Sequence, residues 1–208
     1  RIIAEKWFTP RAVIGFWPAN RIGDDIQLWR DERRADPLAT LHTLRQQVTK
    51  RDGRPNAAMA DFVAPAGHRD YVGGFVVTAG GEEQALAERF KAAHDDFSAI
   101  LVQALADRFA EALTEMLHER VRRDYWGYAD ESFSPEELIG EPYQGIRPAP
   151  GYPAQPDHTE KQTLFDLLDA TAATGVELTE SMAMWPGVSV SGLCLGHPEA
   201  YYFGVVKV

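Results

Sequence analysis

The chain has 208 residues, of which 45% are hydrophobic and 11% aromatic, so its composition supports a sizeable core and excludes a disordered chain. Its formal net charge of −10 argues against nonspecific nucleic-acid binding and against anionic membranes, and is compatible with a cationic small ligand. The one cysteine, Cys194, allows no internal disulfide, which fits a reducing compartment and predicts a cytoplasmic protein. Cys194 itself is expected in the core, because free cysteines are usually buried.

The first part of the chain predicts a β-hairpin, a helix and a further strand. Residues 11–19 are apolar and β-branched, turn residues follow, and residues 26–32 alternate between apolar and polar. Apolar residues at positions 38, 41, 44 and 48 have helical spacing and predict a helix over 37–50. Residues 70–80 predict a third strand, with glycines where a bulge or a close approach is expected.

A long helical pattern occupies residues 82–126. As a single helix it would span about 65 Å, and the stretch HDDFS at 94–98 predicts a break, so a short helix followed by a long one is expected. Ser134 and Pro135 begin a capping box that predicts a short helix over 135–140. A second box at Thr159 predicts a helix that ends near Gly175. Extended segments at 177–187 and 188–196 and a final strand at 201–208 complete the prediction.

Hairpins at both ends with helices between them predict an α+β fold. We expect a twisted, largely antiparallel sheet with flanking helices, one of them long. The length suits a single domain over 1–208, and a chain that starts without methionine and stops inside a predicted strand is expected to be a fragment truncated at both ends. No apolar run reaches the ~18 residues of a membrane helix, so no membrane association is expected.

Several familiar motifs are missing from the sequence, including the dinucleotide and nucleotide-phosphate loops and the zinc-protease helix motif. The six histidines have no companion ligands at metal spacing, so no metal site is predicted. Arg120, Arg122 and Arg123 lie at the end of the long helix. They either complement the helix dipole or dock a partner, and the sequence leaves both interpretations open.

The segment GIRPAPGYPAQPDHTEK at 145–161 is rich in proline. Proline fixes φ and disfavours the helical region for the preceding residue, so a polyproline-II-like ribbon with a hinge at Gly151 is expected. Such a ribbon leaves the backbone groups of Arg147 and Ala149 free to bind a heterocycle such as adenine. Arg147 offers a fork for a carboxylate, and Tyr152 offers a stacking surface. The alternative is a structural crossover loop, and the tail DHTEK predicts only a helix cap.

These motifs resemble one known family. The stretches RPAPGYP, LHERVRRDYWGYA, PDHTEK and LTESMAMWPGVSVSG closely resemble the C-terminal reactivation domain of cobalamin-dependent methionine synthase, over about residues 13–208. The resemblance implies a domain of a methyltransferase, inactive alone, that binds S-adenosylmethionine and supports reductive methylation of cob(II)alamin. It also implies two partners: a neighbouring module that holds cobalamin, and flavodoxin or a flavodoxin-like reductase. The alternative is a stand-alone module that senses S-adenosylmethionine or docks a corrinoid protein without turnover.

The resemblance also carries site residues onto this sequence, none of them catalytic. It implies that Arg147 holds the ligand carboxylate, that the backbone of Ala149 meets the adenine and that Glu111 lies near the methionine portion. The further implied ligand-site residues are Gly151, Tyr152, Tyr202 and Phe203. A family tyrosine is phenylalanine at 203, although a shift of one residue would pair Tyr201 with Tyr202.

Two carboxylates belong to a different implied surface. Glu83 and Asp107 match family residues on the face that meets the cobalamin module. A family aspartate that binds the ligand's amino group is expected upstream of residue 1, and the family domain is expected to continue beyond residue 208. We therefore expect that a fragment with these bounds binds the ligand weakly or not at all.

Overall fold

The computed structural model describes residues 2–50 and 53–206. Its strands alternate with helices in a mixed order along the chain. The elements, in order, are α1 (Ile2–Glu5), β1 (Arg11–Ile22), β2 (Asp25–Trp29), β3 (Pro37–Leu41), a 3₁₀ turn (Met59–Phe62), β4 (Tyr71–Thr78), α2 (Glu82–Ala92), α3 (Asp96–Arg120), a π-helical continuation (Val121–Tyr125), α4 (Pro135–Leu138), α5 (Glu160–Leu168), α6 (Ala170–Thr174), β5 (Glu177–Leu178), β6 (Met184–Trp185) and β7 (Ser189–Cys194).

The main sheet has five strands in the order β3-β2-β1-β4-β7, and every neighbouring pair is antiparallel. The long strand β1 pairs with β4 along Arg11–Pro18 and with β2 along Ala19–Ile22, so it links the two halves of the sheet. β5 and β6 form a separate two-stranded hairpin. The predicted α+β class with a largely antiparallel sheet is confirmed, as are the first hairpin and the strand near 70–80.

Strand β4 is buried on both faces. Val72 and Val76 belong to the cluster that packs under α5 and α6, whereas Phe75 and Val77 belong to the cluster under α3. Side chains of a strand point alternately to opposite faces, so this one strand contributes to two cores. The sheet therefore forms the middle layer between α5–α6 and α3.

Gly74 allows helix α5 to pack closely on the sheet. A Cβ built at Gly74 would lie 2.6 Å from the Cδ1 atom of Leu164, which is closer than real Cβ atoms approach a neighbour. The expected close approach at the glycines of this strand is confirmed. Substitution of Gly74 by alanine would force the Leu164 side chain to move.

The predicted break in the long helical region is confirmed. Helix α2 ends at Ala92, and His94 has φ of 57°, a left-handed conformation that interrupts the helix. Asp95 then caps α3, because its carboxylate accepts from the Ser98 amide at 3.0 Å. Helix α3 with its π-helical continuation is the long helix expected from the sequence.

The helix predicted over 37–50 is wrong. Pro37–Leu41 form β3, and the residues that follow to 50 have no regular secondary structure. Leu41 pairs with Ile26 of β2, and both side chains are almost fully buried. Farther along, Arg45 bonds Asp24 and Asp61. These long-range contacts override a helical spacing of leucines, which is only a weak local preference.

Two other predicted elements need correction. Residues 201–206 form no strand, and 207–208 lie outside the described residues. The aromatic residues of 201–206 pack on the core rather than in a strand, since the rings of Tyr201 and Phe203 pack on Phe62. The helix at Pro135 ends at Leu138 rather than at 140.

The capping box predicted at Thr159 does not form. Thr159 bonds Asp157 through its amide and its hydroxyl, at 2.8 and 2.7 Å. Glu160 begins α5 and accepts from the amide of His42 at 3.1 Å, so this glutamate ties the helix to a distant segment. The helical stretch breaks at Asp169, whose φ is 47°, and ends at Gly175 as predicted.

Candidate functional site

A cavity of about 590 Å³ lies between strands β4 and β7, helix α3 and the proline-rich segment. This volume falls within the range of small-molecule sites in proteins. Six of the residues implied by the family resemblance line it: Glu111, Arg147, Ala149, Tyr152, Tyr202 and Phe203. Gly151 sits in the same segment between two lining residues, Pro150 and Tyr152.

The proline-rich segment lies alongside β7. Ile146 and Leu195 exchange both backbone hydrogen bonds at 3.0 Å, and the amide of Leu193 donates to the carbonyl of Pro148 at 2.8 Å. Gly192 permits this approach, because a Cβ there would lie 2.8 Å from the Pro148 carbonyl oxygen. Three residues of β7 and its extension thus fix the ribbon against the sheet.

Several backbone groups of the proline-rich ribbon, which were expected to be unpaired, already have hydrogen-bond partners. The Arg147 amide donates to the Tyr202 hydroxyl at 3.0 Å, and the Ala149 carbonyl accepts from the Tyr152 amide at 3.2 Å. Gly151, with φ of 97°, turns the chain here, and its amide donates to the Gln155 carbonyl at 2.7 Å. Within the described ranges the Ala149 amide has no hydrogen-bond partner, so this donor remains available to a ligand.

The Arg147 guanidinium lines the cavity and is held by acidic and phenolic groups. Its Nη2 lies 2.7 Å from Glu115 Oε2 and 3.4 Å from Glu141 Oε1, and its Nη1 donates to Tyr143 Oη at 2.5 Å. Burial alone would lower the pKa of Arg147, but Tyr143 and Glu115 raise it above its ordinary value. Arg147 is thus a fixed cation in the wall, with 17% of its side chain exposed.

Behind Arg147 lie two buried side chains that the sequence analysis missed as site residues. His118 is 2% exposed and Arg122 is 1% exposed. The Nδ1 atom of His118 is 2.9 Å from Arg122 Nη1 and 3.2 Å from Arg147 Nη1. Burial, then the charges of the two arginines, lower the pKa of His118 to about 3.

A pattern in the sequence could have pointed to this group. Glu111, Glu115, His118 and Arg122 follow one another at intervals of three or four residues, which places them on one face of α3. Arg122 therefore cannot belong to an exposed docking surface, which corrects that interpretation for this arginine. Arg123 pairs with Glu119 at 3.0 Å with 37% of its side chain exposed.

The tail of the proline-rich segment contributes to the cavity wall, contrary to the prediction that it is only a cap. His158 and Lys161 line the cavity. A Cβ at Gly151 would lie 2.3 Å from the His158 ring, so the ring packs directly on that glycine. Lys161 Nζ is 2.7 Å from His158 Nδ1 and donates to the Met182 carbonyl at 3.1 Å. Burial lowers the pKa of Lys161.

Glu83 and Asp107 lie on α2 and α3 and are not among the cavity-lining residues. Glu83 is 7% exposed. Burial raises the pKa of Glu83, and the negative charges of Glu82 and Asp107 raise it further. The two implied interface carboxylates are therefore near enough to repel each other.

The structure also bears on metal binding, on membrane spanning and on the single cysteine. The described residues contain no group of three or more His, Cys, Asp or Glu side chains that could hold a metal ion. In the same part of the chain, no helix has both the length and the apolar character needed to cross a membrane. Cys194 is 1% exposed, which confirms the predicted core position, and burial raises the pKa of its thiol to about 12.

Comparisons with known proteins agree with the motif resemblance. The model of one family, described as "Vitamin B12 dependent methionine synthase, activation domain", matches residues 1–208. A solved structure, described as "Crystal Structure of the MetH Reactivation Domain bound to AdoHcy", is 57% identical and superposes with a TM-score of 0.96. The alignment covers 100% of this chain and 64% of that chain, so this chain spans a little under two thirds of the relative's length. The chain belongs to the family of vitamin B12-dependent methionine synthase activation domains.

Proposed function

We propose that the cavity binds S-adenosylmethionine, and that the domain supports reductive methylation of cob(II)alamin in a cobalamin-dependent methionine synthase. The observation that carries this proposal is the position of Arg147 in the wall of a 590 Å³ cavity, in a chain 57% identical to a domain bound to AdoHcy. Membership of the activation-domain family favours this role over that of a stand-alone sensor.

The cavity's chemistry suits a ligand with a base at one end and an amino acid at the other. Arg147 provides a buried cation for the carboxylate, and the unpartnered amide of Ala149 can donate to an acceptor nitrogen of adenine. Glu111 supplies a negative charge at the same cavity, which favours a sulfonium or ammonium group. Tyr152, 66% exposed, provides a ring at the open side for stacking on the base.

The residues of this chain need only bind and orient the ligand. S-adenosylmethionine carries a methyl group activated by its sulfonium, and cobalamin in a neighbouring module supplies the metal centre that accepts it after reduction by flavodoxin or a flavodoxin-like reductase. A general base is not required, so the contribution of Arg147, Ala149 and Tyr202 is to hold the ligand in one position. Fixed polar groups in the cavity wall are sufficient for this task.

Two surfaces are assigned to the partners in this proposal. The face of α2 and α3 that carries the exposed Asp107, with Glu83 buried beside it, is assigned to the cobalamin module, and Arg120 with Arg123 forms the basic patch toward the reductase. Charge complementarity with an acidic reductase makes docking sensitive to salt. Reversal of Arg120 to glutamate in the intact parent enzyme should slow reduction at low salt, and an unchanged rate would reject the patch.

The ligand assignment is tested by calorimetric titration of the 208-residue chain with AdoHcy and with 5′-methylthioadenosine, which lacks the amino-acid end. Arg147→Ala should weaken AdoHcy binding at least tenfold, since a hydrogen-bonded ion pair with a charged group is lost. Binding of 5′-methylthioadenosine should change less than twofold, because this compound has no carboxylate for Arg147 to bind.

The matched control is Arg30→Ala, which removes an arginine that is 59% exposed and paired with Asp36. This variant should bind both ligands like the unmodified chain. Failure of AdoHcy to bind both the 208-residue chain and the intact parent enzyme would contradict the proposed function. An equal loss of both ligands in a folded Arg147→Ala variant would contradict the role assigned to Arg147.

A further inference from the structure

His118 is enclosed by four side chains at the back of the cavity wall. Its Nδ1 atom faces the Nη1 atoms of Arg122 and Arg147 at 2.9 and 3.2 Å. Its Nε2 atom lies 3.4 Å from the Tyr128 hydroxyl, and the Tyr143 ring packs perpendicular to the imidazole at 4.9 Å between centroids. A side chain held from four directions has one available orientation.

The two arginines fix the protonation of this histidine. A guanidinium carries only donors and keeps its charge in proteins, so Nδ1 must act as the acceptor for both. The ring proton is then on Nε2, where it can donate to Tyr128 Oη. A proton on Nδ1 would remove the acceptor and add a third positive charge beside Arg122 and Arg147. Burial and the two arginines accordingly lower the pKa of His118 to about 3.

Arg122 is the least expected member of this group. Within the described chain, its buried Nε and Nη2 atoms have no hydrogen-bond partner, and Glu115 Oε1 is 3.8 Å from its Nη1. Its guanidinium carbon lies 4.0 Å from the centroid of the Tyr143 ring. An incompletely paired buried charge is costly. Among the described residues, its one polar contact of hydrogen-bond length is with His118 Nδ1.

We infer that His118 is a positioning residue: as a neutral acceptor, oriented by Arg122, it holds the Arg147 guanidinium in the cavity wall for a ligand carboxylate. The Nη1 atom of Arg147 contacts both His118 Nδ1 and Tyr143 Oη, and its Nη2 atom pairs with Glu115. A guanidinium fixed in this way loses little side-chain entropy when a carboxylate binds. The inference rests on the proposed role of Arg147 in binding a carboxylate.

A purely structural role for His118 makes a different prediction. If the histidine only fills space on α3, its replacement would affect ligands with and without a carboxylate alike. If it positions Arg147, only the carboxylate-dependent part of the affinity changes. The ligand pair AdoHcy and 5′-methylthioadenosine therefore separates the two roles.

The test compares three substitutions of His118 in the 208-residue chain. Asparagine places an oxygen where Nδ1 lies, glutamine moves the acceptor toward the position of Nε2, and leucine has no acceptor. His118→Gln and His118→Leu should weaken AdoHcy binding about tenfold and change 5′-methylthioadenosine binding less than twofold. His118→Asn should stay within about threefold of the unmodified chain for both ligands.

The outcomes distinguish this inference from the proposed function. The positioning role is overturned if folded His118→Gln binds AdoHcy like the unmodified chain, if both ligands weaken equally, or if asparagine is no better than glutamine. If thermal unfolding shows that His118→Leu does not fold, the comparison of His118→Asn with His118→Gln still tests the positioning role. If Arg147→Ala loses AdoHcy selectively but His118→Gln does not, only the positioning role fails. If only the intact parent enzyme binds AdoHcy, the same variants are compared in that enzyme, and if neither protein binds it, the proposed function fails.

Discussion

Two arginine–carboxylate clusters in this domain differ in how completely their polar atoms are paired. On the β2 side, Arg45 bonds Asp24 and Asp61 at 2.6–2.9 Å, and Asp61 also bonds Arg21. These side chains are between 26% and 49% exposed. The cluster joins a turn, an extended segment and a 3₁₀ turn, and its contacts are satisfied without any other molecule.

The cluster at the cavity is more buried and less complete. Arg122 and Glu115 both keep buried polar atoms that have no hydrogen-bond partner among the described residues. His118 stands between two arginines that would repel each other without an acceptor. The complete pairing of the first cluster is typical of a group that stabilises the fold, while we propose that the second holds charges in position for a bound group.

The largest expected effect is a loss of stability at low pH, because His118 of the second cluster stays neutral in the fold. The ordinary pKa of histidine is 6.5, and that of His118 in the fold is about 3, so below pH 6.5 the unfolded chain binds a proton that the folded chain does not. The free energy of unfolding should therefore fall as pH falls, by about 1.4 kcal/mol per pH unit, or roughly 3 kcal/mol between pH 6.5 and 4.5. The charged and titratable groups facing the imidazole are Arg122, Arg147, Tyr128 and Tyr143.

Denaturant unfolding of the unmodified chain and of His118→Asn at several pH values measures this term. The difference at pH 7.5 gives the packing cost of the substitution, and the change of that difference with pH gives the proton linkage. Parallel pH profiles for the two proteins would contradict a neutral, buried His118.

The first cluster should respond with a smaller loss and no effect on the ligand. The Arg45 guanidinium, against the opposing effect of burial, lowers the pKa of Asp61 to about 2. The ionised carboxylate stabilises the fold by about 2 kcal/mol above pH 4, and this contribution is lost as pH falls from 4 to 2. Asp61→Asn should therefore lower the free energy of unfolding by about 2 kcal/mol at pH 7 and leave AdoHcy affinity unchanged.

The control for that experiment is Asp36→Asn. Asp36 pairs with Arg30 on the surface, and its side chain is 66% exposed, so its loss should cost no more than about 0.5 kcal/mol. If Asp61→Asn weakens AdoHcy binding as much as it weakens folding, the distinction between the two clusters is wrong.

The smallest effect is expected at Phe203. Its ring packs 6.2 Å from Phe62 and 5.7 Å from Tyr201 between centroids, and it lines the cavity. Phe203→Tyr adds one hydroxyl, so the affinity for AdoHcy should change by at most about fivefold, or about 1 kcal/mol. A tenfold or larger gain in calorimetric titration would show that this position contributes a strong polar contact rather than packing.

Much of the fold follows from local sequence patterns, because those patterns and the tertiary packing agree. The long helix, its break near His94 and the hairpin of β1 and β2 were predictable for this reason. The helix over 37–50 was not, because Leu41 is fixed by its pairing with Ile26 in a strand. Helical spacing of apolar residues is indistinguishable in the sequence from an irregular segment that is buried by distant contacts.

Some residues of the candidate site could be identified from the sequence, and others could not. Arg147 could be predicted because proline geometry and an arginine lie together in one short stretch. The contact between Arg147 and His118 joins residues 29 positions apart in the chain, and the burial of Arg122 depends on the packing of Tyr143 over it. The spacing of Glu115, His118 and Arg122 places them on one helix face, but spacing alone does not report whether that face is buried, so Arg122 was interpreted as a surface residue.

The proline-rich ribbon has a consequence for the solubility of the sheet. Strand β7 is at the end of the five-stranded order, where unpaired backbone groups would invite association with another chain. The ribbon covers this edge through Ile146 and Pro148, and its prolines at 148, 150 and 153 have no amide hydrogen to donate outward. The same residues that shape the ligand cavity therefore end the sheet, so a substitution that loosens the ribbon would expose an aggregation-prone edge as well as disturb the site.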